Sequence, residues 1–463
     1  MTEAEAAIPS PAPTPGDTAW FTQARFGLFV HWGLYSMAAR HEWVMHHERM
    51  TDAQYRRYFE RFDPDLYDPV AWARHARAAG MRYAVVTTKH HDGFCLWDSA
   101  LTDFKATNTP AGRDLIRPFV DAFRAEGLRV GFYHSLIDWH HPEFPIDCLH
   151  PRRDDPPGPG DDARDIRRYA DYLHGQVREL LTGYGPIDIL WLDFSYPGGY
   201  FPLPWPHTPP RNRAGKGRDD WRSAELLAMV RELAPGIVVN DRADLPEQAD
   251  VRTPEQYQPR GWVTVDGAPV VWETCQTLNG SWGYDRDNLD WKTPDQLVRL
   301  LIETVANGGN LLLNVGPTGR GEFDPRARAT LAAVGEWMRL HARAIVGATA
   351  SSLSPPPDGR YTRRGDRLYL HLFAWPFQHL YLDGLAGRVA YAQFLHDGSE
   401  VRIVERPPLQ HLSDTVSASR RDTLTLQLPV QRPDVLTPVI ELFLVDAGAD
   451  PDDMDHGVDP PPR

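Results

Sequence analysis

The pattern that most constrains this 463-residue chain is an alternation. Apolar runs of strand length are each followed by a long amphipathic stretch, from Trp20 to about Ile345. FGLFVHWG, YAVVTTKHHDGF, LRVGFYHSLIDWHH, PIDILWLDF, GIVVNDR, VVWETC and NLLLNVGP read as strands. Between them, segments such as LYDPVAWARHARAAG, RDLIRPFVDAFRAEG and RDIRRYADYLHGQVRELLTGYG carry helical periodicity and close on glycine. Strands that are apolar throughout and joined by helices imply a parallel sheet covered on both faces. Seven or so such units over roughly 330 residues fit a (β/α) TIM-like barrel better than an open sheet. The glycine fingerprint of a dinucleotide fold is absent.

After SSLSPPPDGR the period changes from helical to two. GDRLYLHLFAW, HLYLDGL, VAYAQFLHDG, TLTLQLPV and PVIELFLVD alternate and are separated by Gly, Pro and Asp turns. The expected organisation is therefore α/β: a Pro-rich disordered tail over 1–17, a barrel catalytic domain over 18–347, a C-terminal all-β sandwich over 348–447 and an acidic tail over 448–463.

Composition narrows the function. Lys and Arg number 49 against 63 Asp and Glu, a net charge of −14, which opposes binding to duplex nucleic acid or an anionic membrane through basic charge. No apolar run approaches the ~18–20 residues of a spanning helix. The N-terminal residues lack the basic and apolar regions of a signal peptide, so a cytoplasmic enzyme is expected. Cys95, Cys148 and Cys275 are scattered and form no CxxC pair, which reads as reduced thiols.

Chemistry collects at the strand ends. In a parallel barrel, catalytic groups project from the C-terminal ends of strands. In order, those ends read His31-Trp32, Lys89-His90-His91, Tyr133-His134, Trp191-Leu192-Asp193 and Asn240-Asp241-Arg242. Five polar ends in succession predict one convergent pocket. The 19 histidines invite a metal reading. Yet in HEWVMH, His41 and His46 are five apart, and on a helix such rings point about 140° away from each other. No metal and no cofactor are expected. Neutral imidazoles and indoles instead suit a neutral polyhydroxylated ligand. Cleaving a glycosidic bond needs two carboxyl groups flanking the anomeric carbon. Asp193 is the best candidate for the ionised one, because it ends an apolar strand between Trp191 and Phe194.

FGLFVHWGLYS, EWV, TTKHHDGF, FYHSLIDWHH, ILWLDF, VVNDR, TPEQY and the WETC–SWGYDR pair occur in one order over Trp20 to Ile345. In these segments the chain resembles the retaining α-L-fucosidases of glycoside hydrolase family 29. The resemblance implies Asp193 as nucleophile and Glu255 of TPEQY as general acid/base, with Glu273 as the rival for that role and Glu247 a distant third. It further implies that His31, Glu42, Trp43, His90 and His91 hold sugar hydroxyls. Arg242 would orient the site and Trp282 would pack on the sugar's apolar side. His134 stands where many relatives carry tyrosine, which leaves Tyr133 and His134 both as candidates. A fucosylated oligosaccharide is the implied substrate. The alternatives are a related sugar such as an α-L-galactoside, or an inactive carbohydrate-binding relative. The Pro-rich insertion from Tyr200 to about Asp220 follows the nucleophile strand and is expected to shape linkage preference.

Overall fold

The apolar runs become strands because β-branched and aromatic side chains cover both of their faces. The structure, a computed structural model, describes residues 8–198, 214–404 and 422–445. Most of the insertion after the nucleophile strand, and the acidic tail, lie outside the described residues. The barrel strands are β1 (Phe26–Val30), β2 (Tyr83–Lys89), β3 (Arg129–Ser135), β4 (Ile189–Asp193) and β5 (Val238–Val239). A small hairpin, β6 (Thr264–Val265) and β7 (Ala268–Pro269), precedes β8 (Glu273–Thr277) and β9 (Asn310–Val315). The seven barrel strands form one sheet in the order β5-β4-β3-β2-β1-β9-β8, with every neighbour parallel.

Strand parity sorts the side chains into two layers. Phe29, Val85, Tyr133, Trp191, Val238, Cys275 and Leu312 pack inside the curl, and Phe21 and Ala24 of the helix Ala19–Ala24 join them. Leu28, Val86, Phe132, Leu190, Leu192 and Leu313 point outward to the surrounding helices. Gly27 faces inward for lack of room: a Cβ there would lie 2.3 Å from the Tyr83 ring.

Among the described residues, the curl does not close through an eighth strand. The two edge strands, β5 and β8, are bridged by residues 251–255, which make isolated parallel bridges Asn240↔Val251, Arg252↔Trp272 and Glu255↔Cys275. This seam is irregular because β5 is only two residues long and Pro254 has no N–H to donate. It also carries Glu255.

The C-terminal module consists of β10 (Gly359–Arg364), β11 (Arg367–Leu372), β12 (His379–Leu382), β13 (Val389–Phe394), β14 (Arg402–Val404), β15 (Leu424–Gln427) and β16 (Val439–Leu444). Antiparallel sheets in the orders β10-β11-β16-β13 and β12-β15-β14 face each other. Leu368, Leu370, Ile440 and Leu442 of one share a core with Leu380, Leu382, Leu424 and Leu426 of the other, so the module is the expected sandwich. It docks on the barrel helices through Trp337 Nε1 to the Thr437 carbonyl (2.9 Å) and Thr362 Oγ1 to the Ala344 carbonyl (2.7 Å). The segment up to residue 17, expected as a free tail, is tied down at its end. Gly16 N–H donates to Asp250 Oδ1 at 2.6 Å and Asp17 N–H to the Gly236 carbonyl at 3.0 Å.

Candidate active site

Asp193 ends β4 with the same parity as Ile189 and Trp191, so its side chain turns into the curl. Only 8% of the residue is exposed. Its Oδ2 accepts from Tyr133 Oη at 2.8 Å and its Oδ1 from Arg242 Nη1 at 2.9 Å. Burial pushes the carboxyl above the ordinary carboxylate value; Arg242 opposes that, Glu255 reinforces it, and the Tyr133 hydrogen bond opposes it. Tyr133, itself held protonated by burial and by the adjacent Asp193, is a donor throughout the working range.

Glu255 shares the same guanidinium nitrogen: Arg242 Nη1 lies 2.6 Å from Glu255 Oε2. Two oxygens at 2.9 and 2.6 Å from one atom are separated by at most about 5.5 Å. Glu255 sits at the rim, with its side chain 39% exposed, whereas Asp193 lies deep. Arg242 is fixed on three sides. Its Nε donates to Thr253 Oγ1 (3.1 Å), its Nη2 donates to the Thr253 carbonyl (3.2 Å), and its plane lies over the Trp191 ring at 4.6 Å. Asn240 completes the frame. Its side chain bonds both the N–H and the carbonyl of Leu192 (2.9 and 2.8 Å), replacing ladder bonds that the short β5 lacks.

His31, His90, His91, Trp43 and Trp282 line the same pocket as the two carboxylates. His90 stacks on Tyr133 at 5.6 Å, and His91 meets Trp43 edge-on at 5.1 Å. Burial depresses all three imidazoles, His31 to about 3 and the other two well below their usual value, so they are neutral near pH 7. The Trp282 loop reaches over the end of β9 because Gly316 is bare there; a Cβ would lie 2.6 Å from Gly283 C.

Phe194 has φ = 78°, the left-handed region that a bulky residue enters at a cost of about 1–2 kcal/mol. The turn folds its ring against Trp43 and His91, at 5.1 and 5.0 Å, as a side wall.

Nine of the sequence-predicted residues thus line one pocket: Asp193, Glu255, His31, Trp43, His90, His91, Tyr133, Arg242 and Trp282. Two do not. His134 follows Tyr133 on β3, so strand parity turns it outward, where its Nδ1 meets Thr88 Oγ1 at 3.0 Å beside Trp97. Of the pair left open by the sequence, Tyr133 is the one in the site. Glu42 is buried and not among the lining residues. Its Oε2 accepts from the backbone N–H groups of Trp282 and Gly283 (3.2 and 2.8 Å), so it holds the Trp282 loop, and its Oε1 lies 3.2 Å from His41 Nδ1.

The rival Glu273 is the first residue of β8, not its last, which places it at the N-terminal end of the curl. There it accepts hydrogen bonds from Tyr83 Oη and Trp191 Nε1, and burial raises it to about 7. Glu247 is bonded to Arg218 outside the pocket. Because Glu273 is raised above its ordinary 4.5, the folded state binds the extra proton between those values, and that contribution to stability is lost as pH rises from 4.5 to about 7. Glu273→Gln removes the dependence. Denaturation of wild type and variant across this range should show the variant gaining relative stability by up to roughly 1.4 kcal/mol per pH unit, with turnover within about fivefold.

Four lining residues were given no role in the site from the sequence: Phe29, Trp191, Phe194 and Cys275. Phe29 and Trp191 share parity with His31 and Asp193, a signal readable from the strands alone. Phe194 depends on a turn, and Cys275 on the register of β8.

Comparison with known proteins agrees with this geometry. The α-L-fucosidase family model matches residues 12–343. Bovine tissue α-L-fucosidase is 30% identical over 392 residues, 77% of this chain and 75% of that protein. Among solved structures, α-L-fucosidase isoenzyme 1 from Paenibacillus thiaminolyticus is 48% identical, with a TM-score of 0.82 over 93% of this chain and 99% of that one. A family 29 α-L-fucosidase from Bacteroides thetaiotaomicron, solved as a trapped covalent intermediate with 2-fluoro-fucosyl fluoride, is 25% identical, with a TM-score of 0.78 over 94% of this chain and 98% of that one. With its curled parallel sheet, its sandwich and its carboxylate pair bridged by arginine, this chain belongs to the α-L-fucosidase family, glycoside hydrolase family 29.

Proposed function

We propose that the chain removes terminal α-L-fucosyl residues from oligosaccharides by double displacement, with Asp193 as nucleophile and Glu255 as acid/base. The observation that carries this reading is the single Arg242 nitrogen shared by both carboxylates. It keeps the nearest oxygens of the two within about 5.5 Å of each other, on the side of the close ~5–5.5 Å spacing of retaining glycosidases rather than the ~6.5–9.5 Å that inversion needs for a water.

In the first step an Asp193 oxygen bonds the anomeric carbon as the glycosidic C–O bond breaks, and Glu255 gives its proton to the departing oxygen. In the second, water attacks the same carbon, Glu255 takes its proton, and the Asp193 ester is released. Arg242 and Tyr133 hold Asp193 in line and stabilise its charge when it departs. The deep position of Asp193 suits attack from beneath the ring, and the exposed rim position of Glu255 suits a leaving group that extends into solvent. The pocket floor of Phe29, Trp191 and Cys275 favours a chain-terminal sugar. Proton NMR of the first product from an aryl α-L-fucoside, read before mutarotation, should show α-L-fucose; β-L-fucose as the first product would overturn the mechanism.

A further inference from the structure

Hydrogen-bond chains that end on backbone carbonyls hold the His31 and His91 rings from behind, and a carbonyl can only accept. Asn314 donates Nδ2 to the Trp282 carbonyl at 2.7 Å, so its Oδ1 is the atom turned to His31 Nδ1, also at 2.7 Å. An amide oxygen only accepts, so His31 Nδ1 carries the proton. Ser135 gives its one hydroxyl proton to the Ile137 carbonyl (2.8 Å) and accepts from the Ile137 N–H (3.0 Å). Its remaining lone pair lies 2.6 Å from His91 Nδ1, so that nitrogen is a donor as well. A neutral ring protonated at Nδ1 has a bare Nε2. Burial keeps both rings neutral, and both line the pocket. His90 differs: its Nδ1 is buried with no hydrogen-bond partner among the described residues, so no such chain selects its tautomer.

We propose that His31 and His91 meet the sugar only as hydrogen-bond acceptors, and that Asn314 and Ser135 are the positioning residues that impose this polarity. The inference rests on the reading of the pocket as a fucose site and adds a rule to it. Two sugar hydroxyls must donate. An acceptor-only group of similar size at either position, such as fluorine or a methoxyl oxygen, is refused as firmly as hydrogen.

Two measurements test this. The long-range 1H–15N spectrum of enzyme labelled with 15N-histidine distinguishes protonated from bare ring nitrogens, with assignment through His31→Gln and His91→Gln. Between about pH 5 and pH 8 the wild-type spectrum should show Nδ1 protonated and Nε2 bare in both rings. A protonated Nε2 in either ring overturns the proposal without reference to any variant. In Ser135→Ala, His91 should exchange toward the Nε2–H form while His31 stays unchanged; an unaltered His91 removes Ser135 from the account. Second, L-fucose analogues with one hydroxyl replaced by hydrogen or fluorine are compared as competitive inhibitors. At two ring positions the fluoro and deoxy sugars should both bind about tenfold more weakly than L-fucose; fluorine retaining affinity at every position contradicts the proposal. Enzyme with the expected tautomers that binds no L-fucose contradicts the fucosidase reading alone. Enzyme that cleaves fucosides with Nε2–H in either ring contradicts the polarity alone.

Discussion

Asp193→Ala lowers turnover of an aryl α-L-fucoside by about four orders of magnitude or more, because no other carboxylate lies beneath the anomeric carbon to form the ester. Glu255 sits at the rim, and Glu273 is at the N-terminal end of the curl. The variant should fold, since the substitution removes a buried charge together with only two hydrogen bonds, those from Tyr133 and Arg242. The vacated space also gives a positive outcome to look for. Azide entering there attacks the anomeric carbon from the nucleophile's face as Glu255 protonates the departing oxygen, so the product is a β-fucosyl azide. Activity within about tenfold of wild type would remove Asp193 from its assigned role.

Glu255→Ala has a different signature. Loss of a general acid lowers the rate about 10²–10⁴-fold for a sugar leaving group, which needs the proton, and far less for a strongly acidic phenol, which does not. With such a phenol the first step survives and the second slows for want of a base, so the covalent ester accumulates and a burst of phenol precedes a slow steady state. Azide then attacks the ester, displacing Asp193, and yields an α-fucosyl azide. Opposite anomers of the azide from the two variants separate the roles within one assay. A Glu255→Ala enzyme equally impaired on all leaving groups, with no burst, would refute the acid/base assignment. Glu273→Ala behaving as described for Glu255 would transfer it.

Much of this site could be read from strand ends alone. His31, Tyr133, Asp193 and Arg242 follow apolar runs in a parallel arrangement, and the fold rule for such sheets places those ends together. The choice between Tyr133 and His134 needed the register of β3 against β4, which pairs Tyr133 with Trp191 and Ser135 with Asp193 and so puts Tyr133 on the inner face. Other parts needed tertiary information. VVWETC carries apolar residues on both sides of Glu273, so its pattern cannot distinguish a strand ending at Glu273 from one starting there, and the difference moves that carboxylate from one end of the curl to the other. Glu42 lies outside any strand, and its partners, the Trp282 and Gly283 amides, are some 240 residues away in sequence. The seam at 251–255 is too short and too irregular to carry a period. Asn240, Asn314 and Ser135 are small, neutral and unremarkable in composition. Their importance comes from which atoms they donate to, and only coordinates show that.

The most direct test of the account is to inactivate the enzyme with 2-deoxy-2-fluoro-α-L-fucosyl fluoride, digest it and sequence the peptide that carries the added sugar. The expected result is one fluorofucosyl group per chain, in ester linkage to Asp193 of the ILWLDF peptide, and recovery of activity as the ester hydrolyses. A label on Glu255, on Glu273 or on any other side chain, or turnover of the reagent with no covalent adduct, would contradict it.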